Sequence, residues 1–127
     1  MKKKRPAKHA SFARAFSVAG RGIAEAAVKE RNIRIQLAVG AVTFAAAACL
    51  HFSGEKYVII FAVCAIVIAF ELLNSALEAI ADIIQPEFHQ AVRYAKDVAA
   101  AAVLIASIGG AVVGVWLFLP AIIHIFA

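Results

Sequence analysis

Cysteine is scarce in this 127-residue chain: Cys49 and Cys64 are its only two, and both fall inside apolar runs. They read as small buried apolar residues, which excludes a disulfide framework or a cysteine metal site. Histidine is thin as well, and His51, His89 and His124 do not stand at metal-ligand spacing. No Gly-x-x-x-x-Gly-Lys occurs, so any nucleotide site here is not a P-loop. The opening MKKKRPAK is followed by no short apolar region, and the first long apolar run begins only at Ile35. A signal peptide is therefore not expected. Acids are few, eight in all, and only Glu25 and Glu30 precede Arg34. Of the thirteen Lys and Arg, only Lys56, Arg93 and Lys96 lie beyond Arg34, which leaves ten before or at it. A basic chain can bind nucleic acid, but no basic helix stands apart from the apolar segments. Nucleic acid is not an expected partner; a cytoplasmic membrane face is.

What the chain has in plenty is apolar surface. At 64% hydrophobic it is too apolar for a soluble domain of its size and reads as an integral membrane protein. Residues 1–10 form a basic tail, expected to be disordered and to touch anionic headgroups. Residues 11–127 are expected to be one membrane-embedded domain. Its first part, 11–30, sets Phe12, Phe16, Ala19 and Ile23 at three- and four-residue steps, with Arg14, Arg21, Glu25 and Lys29 pointing elsewhere. That pattern predicts an amphipathic helix in the membrane interface, with Ser11 available as its cap. Three spans follow, at about 34–53, 57–82 and 98–119. A turn at 53–56 joins the first two, Gln85-Pro86 breaks the second, and Pro120 disturbs or ends the third. Trp116 and Phe118 suit an interfacial belt. With the N-terminus in the cytoplasm, twelve of the thirteen Lys and Arg lie inside and only Lys56 outside, as the positive-inside rule asks.

The informative stretch is ELLNSALEAIAD, residues 71–82. At 100° per residue, Glu71, Asn74, Glu78 and Asp82 fall in one polar stripe on an otherwise apolar helix. A carboxylate near the middle of a span costs on the order of 3 kcal/mol, so acids there read as functional. Glu71 lies roughly 10 Å deeper than Glu78, by seven residues of rise. Acids beside a lysine at a membrane surface suit phosphate chemistry. Magnesium takes a few carboxylates plus the substrate's phosphates, and phosphoryl transfer asks for charge neutralisation, alignment and a base. Glu30 and Glu78 could hold the metal, Lys96 could neutralise phosphate oxygens, and Glu71 could take a proton from a lipid hydroxyl. Plainer readings stand beside these. Glu30 could be a surface ion pair with Arg31 or Arg34, Lys96-Asp97 a helix start with a snorkelling cation, and Asn74 interhelical glue. Gly110 and Gly114 read as close helix packing.

ELLNSALEAIAD followed by AKDVAAAAVLIA closely resembles the small prokaryotic diacylglycerol kinase and undecaprenol kinase family. The pattern is matched at Glu71, Asn74, Ser75, Ala76, Glu78 and Asp82, then at Ala95, Lys96, Asp97, Ala101, Ala102 and Val103. Glu30-Arg31-Asn32, with Arg34 and Ile35, is a third match. The resemblance implies an all-α membrane fold, a surface helix plus three spans, assembled as a homotrimer with sites between subunits. It implies an ATP- and Mg²⁺-dependent lipid kinase in which Glu71 is the general base and Glu30 and Glu78 are ligands of ATP-bound magnesium. Lys96 and Asp97, with Glu87 and His89, are implied as nucleotide contacts. Asn74 sits beside the base and the lipid headgroup, and Arg34 joins the substrate set. The Glu-Arg-Asn cluster looks more like the undecaprenol kinase branch, with diacylglycerol as the alternative acceptor. A reading of another class is a non-catalytic transporter subunit, but its acids would mark both halves of a crossing path. Here all acids of the spans and their connections except Glu55 lie from Glu71 toward the cytoplasmic end, which favours a one-sided site.

Overall fold

A computed structural model describes residues 11–127 apart from Pro86 and Phe88, so the basic tail read at 1–10 lies outside the described residues, as does the proline of the Gln85-Pro86 break. Four helices follow one another: α1 (Phe12–Lys29), α2 (Arg31–Cys49), α3 (Gly54–Ile84) and α4 (Gln90–Phe126). The last three are long and apolar enough to cross a membrane. The fold is the expected one of an amphipathic helix plus three spans.

The helix ends differ from expectation in ways local chemistry explains. Ser11 does not cap α1 through its side chain. Its carbonyl instead accepts from the Arg14 and Ala15 amides, at 2.9 and 3.2 Å. The turn expected at 53–56 lies earlier, because Gly54 already begins α3. There α2 ends in a Schellman motif: His51 N–H donates to the Ala48 carbonyl at 3.1 Å, and Phe52 N–H donates to Ala47 at 3.1 Å. His51 takes the left-handed position, φ 52°. A left-handed backbone costs a side-chain-bearing residue about 1–2 kcal/mol, which glycine avoids. Replacing His51 by Gly should therefore stabilise the chain by about 1 kcal/mol and raise its unfolding midpoint in detergent. A lowered midpoint would show that the imidazole makes contacts worth more than the strain.

Pro120 does not end α4, which continues through it to Phe126. A proline removes one ladder hydrogen bond, and membrane helices tolerate this where neighbouring groups re-satisfy the freed carbonyl. At its other end α4 takes in the polar residues Gln90 to Asp97, ahead of the span expected to begin at about 98. Its 37 residues measure about 55 Å at 1.5 Å each, well beyond a hydrocarbon layer of about 30 Å. The charged first turns therefore project past the apolar run that starts at Val98.

Helix α3 is central. It packs along α4 and along α2, while α2 and α4 make no comparable contact with each other. Gly110 sets the α3–α4 approach: a Cβ there would sit 3.1 Å from Val63 Cγ1. The packed core lies at the turn end of the bundle, where Ala47, Phe52, Ile60 and Leu117 are buried together. Phe118 packs its ring 4.8 Å from Phe52, and Lys56 Nζ lies 4.4 Å from the Phe52 ring centre. Phe118 is thus part of the core edge, while Trp116 is exposed as an interfacial residue would be. Helix α1 has no buried residue. Its Phe12, Phe16 and Val28 face outward, fit for an interface.

Candidate functional site

Glu71 is the one buried charged residue among the described residues, at 3% exposure. Its helix position places it where α2 and α4 flank α3 without closing on each other. The result is a cleft of about 230 Å³ with Glu71 in its wall, bounded by Asn32, Ile35 and Gln36 of α2 and by Ala100, Val103, Leu104 and Ser107 of α4. No ion pair reaches Glu71 among the described residues. A carboxylate held in an apolar helix bundle with no cation beside it is unstable unless something in the cleft compensates.

One turn on, Asn74 Nδ2 donates to Glu78 Oε1 at 3.2 Å. The Asn74 amide oxygen is buried and accepts no hydrogen bond. Groups like this are rare in finished interiors and ask for an additional donor, such as a hydroxyl or an ordered water. The stripe continues to Asp82, which accepts from Lys96 Nζ at 2.8 Å across the α3–α4 hairpin. This hydrogen bond holds the Lys96 ammonium above the usual lysine value, and the Asp82 and Glu78 charges add to it. The pair is largely exposed, so it fixes geometry more than it stabilises. Arg93 and Asp97 form a looser pair at 3.9 Å along α4.

The other residues read from the sequence are placed as follows. Glu30 is the single extended residue between α1 and α2, serving both as cap, and its side chain makes no capping bond. Its carboxylate is therefore not committed to the helix end. Among the described residues its side chain makes no hydrogen bond or ion pair, and no group of three or more His, Cys, Asp or Glu converges. Such a sparse donor set does not make a protein-only cage. It does fit magnesium, which keeps waters and phosphate oxygens as ligands, and the unsatisfied Asn74 oxygen is an acceptor for a metal-bound water.

Arg34, expected among the substrate contacts, also ties two helices together. Its guanidinium donates to the Val28 carbonyl at 2.8 Å and to Ala27 at 3.3 Å. It thereby closes the C-terminal end of α1 against α2 and fixes the residue between them, Glu30. Arg34→Gln should loosen α1: its amides should exchange with solvent several-fold faster, with α3 unchanged, as hydrogen-exchange mass spectrometry would read. Equal protection in both proteins would remove this role. Glu87 is exposed in the α3–α4 connection. His89 caps α4, its Nδ1 accepting from the Ala91 amide at 3.2 Å. Sequence reading passed over Gln36 and Ser107. The available signal was an amide and a hydroxyl within apolar spans.

These features define a small helical membrane protein, with a buried carboxylate in a cleft and charges gathered beyond one end of the bundle. A family model described as prokaryotic diacylglycerol kinase matches residues 17–118. Diacylglycerol kinase of Synechocystis sp. is 34% identical over 111 residues, 87% of this chain and 63% of that protein. Undecaprenol kinase of Bacillus subtilis is 34% identical over 109 residues, 86% of this chain and 89% of the relative. Diacylglycerol kinase of Escherichia coli K12 is 37% identical over 86 residues, 68% of this chain and 66% of the relative. The matched segment thus spans less than two thirds of the Synechocystis and Escherichia coli proteins. The chain belongs to the prokaryotic diacylglycerol kinase family, as its motifs implied, and its relatives are lipid kinases by name.

Proposed function

We propose that the chain is an ATP-dependent kinase of a membrane lipid alcohol, acting at the cytoplasmic face with magnesium and as a homotrimer. The observation that carries this reading is Glu71, a desolvated carboxylate without a cation, opening on a cleft within a span. As the lipid hydroxyl oxygen bonds to the terminal phosphorus of ATP, the bridging P–O bond breaks and its electron pair leaves with ADP. Glu71 accepts the hydroxyl proton. The amide oxygen of Asn74, next along the stripe, orients that hydroxyl or a water beside it. Lys96 and Asp97 contact the nucleotide at the projecting start of α4, with Glu87 and His89 in the adjoining connection. Glu30 and Glu78 would hold magnesium, which supplies charge neutralisation at the phosphates. Arg34 serves the substrate by holding Glu30 in place.

The relatives' names give two acceptors, undecaprenol and diacylglycerol. The Glu30-Arg31-Asn32 resemblance inclines to undecaprenol. The cytoplasmic side follows from the concentration of Lys and Arg before residue 35. The test is direct: purified protein in bicelles with lipid alcohols and ATP labelled on the terminal phosphate should transfer label to extracted lipid. No label in any lipid would refute the kinase.

Three thin helices do not enclose two substrates, which is the argument for sites completed by a neighbour. Mixing inactive Glu71→Gln chains with inactive Lys96→Ala chains should then restore a measurable fraction of activity. Failure to recover, with mixing verified by crosslinking, would place each site within one chain.

A further inference from the structure

The two ion pairs at the charged end of the bundle are not equivalent. Arg93 and Asp97 pair loosely within α4 at 3.9 Å, four residues apart and both well exposed. Lys96 instead reaches across to α3, where its Nζ donates to Asp82 Oδ1 at 2.8 Å over a separation of 14 residues. Among the described residues neither Lys96 nor Asp82 makes another side-chain hydrogen bond or ion pair. Asp82 stands one turn beyond Glu78, about 6 Å further along the same stripe. The Glu78 charge attracts the Lys96 ammonium as well. The bond thus brings a cation of α4 onto the acidic face of α3. A lysine ammonium carries three N–H donors, so about two remain once Asp82 has taken one. An exposed pair of this kind adds no more than about 1 kcal/mol to stability. Its effect on position matters more. A free lysine holds roughly 2 kcal/mol of side-chain rotamer entropy, and the bond to Asp82 removes part of it before any ligand arrives.

We propose that Asp82 is a positioning residue: its carboxylate holds the Lys96 ammonium on the acidic stripe, so that the remaining N–H donors meet the phosphate oxygens of the nucleotide. The inference rests on the lipid-kinase reading, which gives Lys96 a nucleotide contact and leaves Asp82 without a task. Asp82 touches neither substrate and acts through Lys96. The assignment has a sign that simple electrostatics does not share. An acid beside an anion site repels the anion, so by charge alone the loss of Asp82 should tighten ATP binding. If the carboxylate aims the lysine, its loss should weaken ATP binding, because the phosphates must then order the lysine themselves. A mere clamp on the α3–α4 hairpin predicts a third result, a lower melting point with nucleotide binding unchanged.

The experiment uses the full chain in bicelles and measures Kd for magnesium-ATP and for AMP, which keeps the nucleoside but lacks the outer phosphates. We expect Asp82→Ala to reduce the preference for ATP over AMP about tenfold, the scale of one hydrogen bond to a charged group. Asp82→Asn keeps an acceptor oxygen for Lys96, so it should lose part of the preference and retain part. A Lys96→Met chain should itself show a reduced preference. Adding Asp82→Ala to it should change nothing further, because the side chain through which Asp82 acts is gone. The preference is internal to each preparation, so a partly unfolded sample does not mimic its loss. Equal or tighter ATP binding in Asp82→Ala overturns the proposal. So does a lower melting point with an unchanged preference, or an Asp82→Ala loss that persists in full beside Lys96→Met. Should Asp82→Ala fail to fold, Asp82→Asn decides: a preference at or above that of the unaltered chain overturns the proposal. These outcomes leave the kinase standing. An unaltered chain that neither binds ATP nor transfers its terminal phosphate to lipid overturns the kinase reading itself.

Discussion

Glu71→Gln should lower lipid phosphorylation on the order of 10³-fold while leaving ATP affinity within about twofold, the range general-base removal produces. Glutamine keeps the volume and a hydrogen-bonding oxygen, so the bundle should retain its melting behaviour. What it loses is the capacity to accept a proton. Glu71 is deep in α3, and the charged groups near the start of α4 are further along the stripe, so nucleotide binding should scarcely sense the change. Glu71→Asp keeps basicity but shortens reach by one methylene, so its loss should be smaller than that of glutamine if proton transfer dominates. Turnover and nucleotide binding, measured separately, check this. Near-normal turnover in Glu71→Gln with normal ATP affinity would mean the buried carboxylate has another task.

The second large effect concerns Glu78. One of its oxygens accepts from Asn74, which leaves the other available. Glu78→Gln removes a charge without removing volume, and Glu30→Gln does the same from the α1–α2 junction. Each should raise the magnesium concentration needed for half-maximal rate roughly a hundredfold, equivalent to losing a charged contact of about 3 kcal/mol. The two should be strongly non-additive, because on the proposed reading both carboxylates would serve one ion. Magnesium titrations at fixed ATP, with helicity monitored, check it. Unaltered magnesium dependence in both variants would sink the assignment.

The polar stripe was legible because helical geometry is regular: spacings of three, four and four fix a face without any tertiary information. Lys96 could be set beside the acids from charge and topology, but not its bond to Asp82, because the register of a hairpin depends on how its connection folds. The bonds Arg34 makes were hidden for a related reason. Its sequence neighbours suggest a substrate contact, whereas its partners are the carbonyls of Ala27 and Val28, six and seven residues back. Those carbonyls become available only because α1 ends at Lys29. Pro120 read as a disturbance or an end because the rule for water-exposed helices is stronger than the rule for membrane ones. Gln36 stayed hidden since one amide in an apolar run has no periodicity to betray it. Its place in the wall of the Glu71 cleft is a property of the assembled bundle.

The aromatic knot around Phe52 and Phe118 ties α2, α3 and α4 at one end, and elsewhere α2 and α4 are joined chiefly through α3. Mechanically this is a tuning fork, with its stem at the turn end and its tines at the charged end. A fork moves least at the stem and most at the tips, so such a joint leaves freest the end where the proposed lipid acceptor would enter. The same joint lets the tines spread without unfastening the chain. Its position makes turnover of bulky molecules compatible with a bundle only three spans thick.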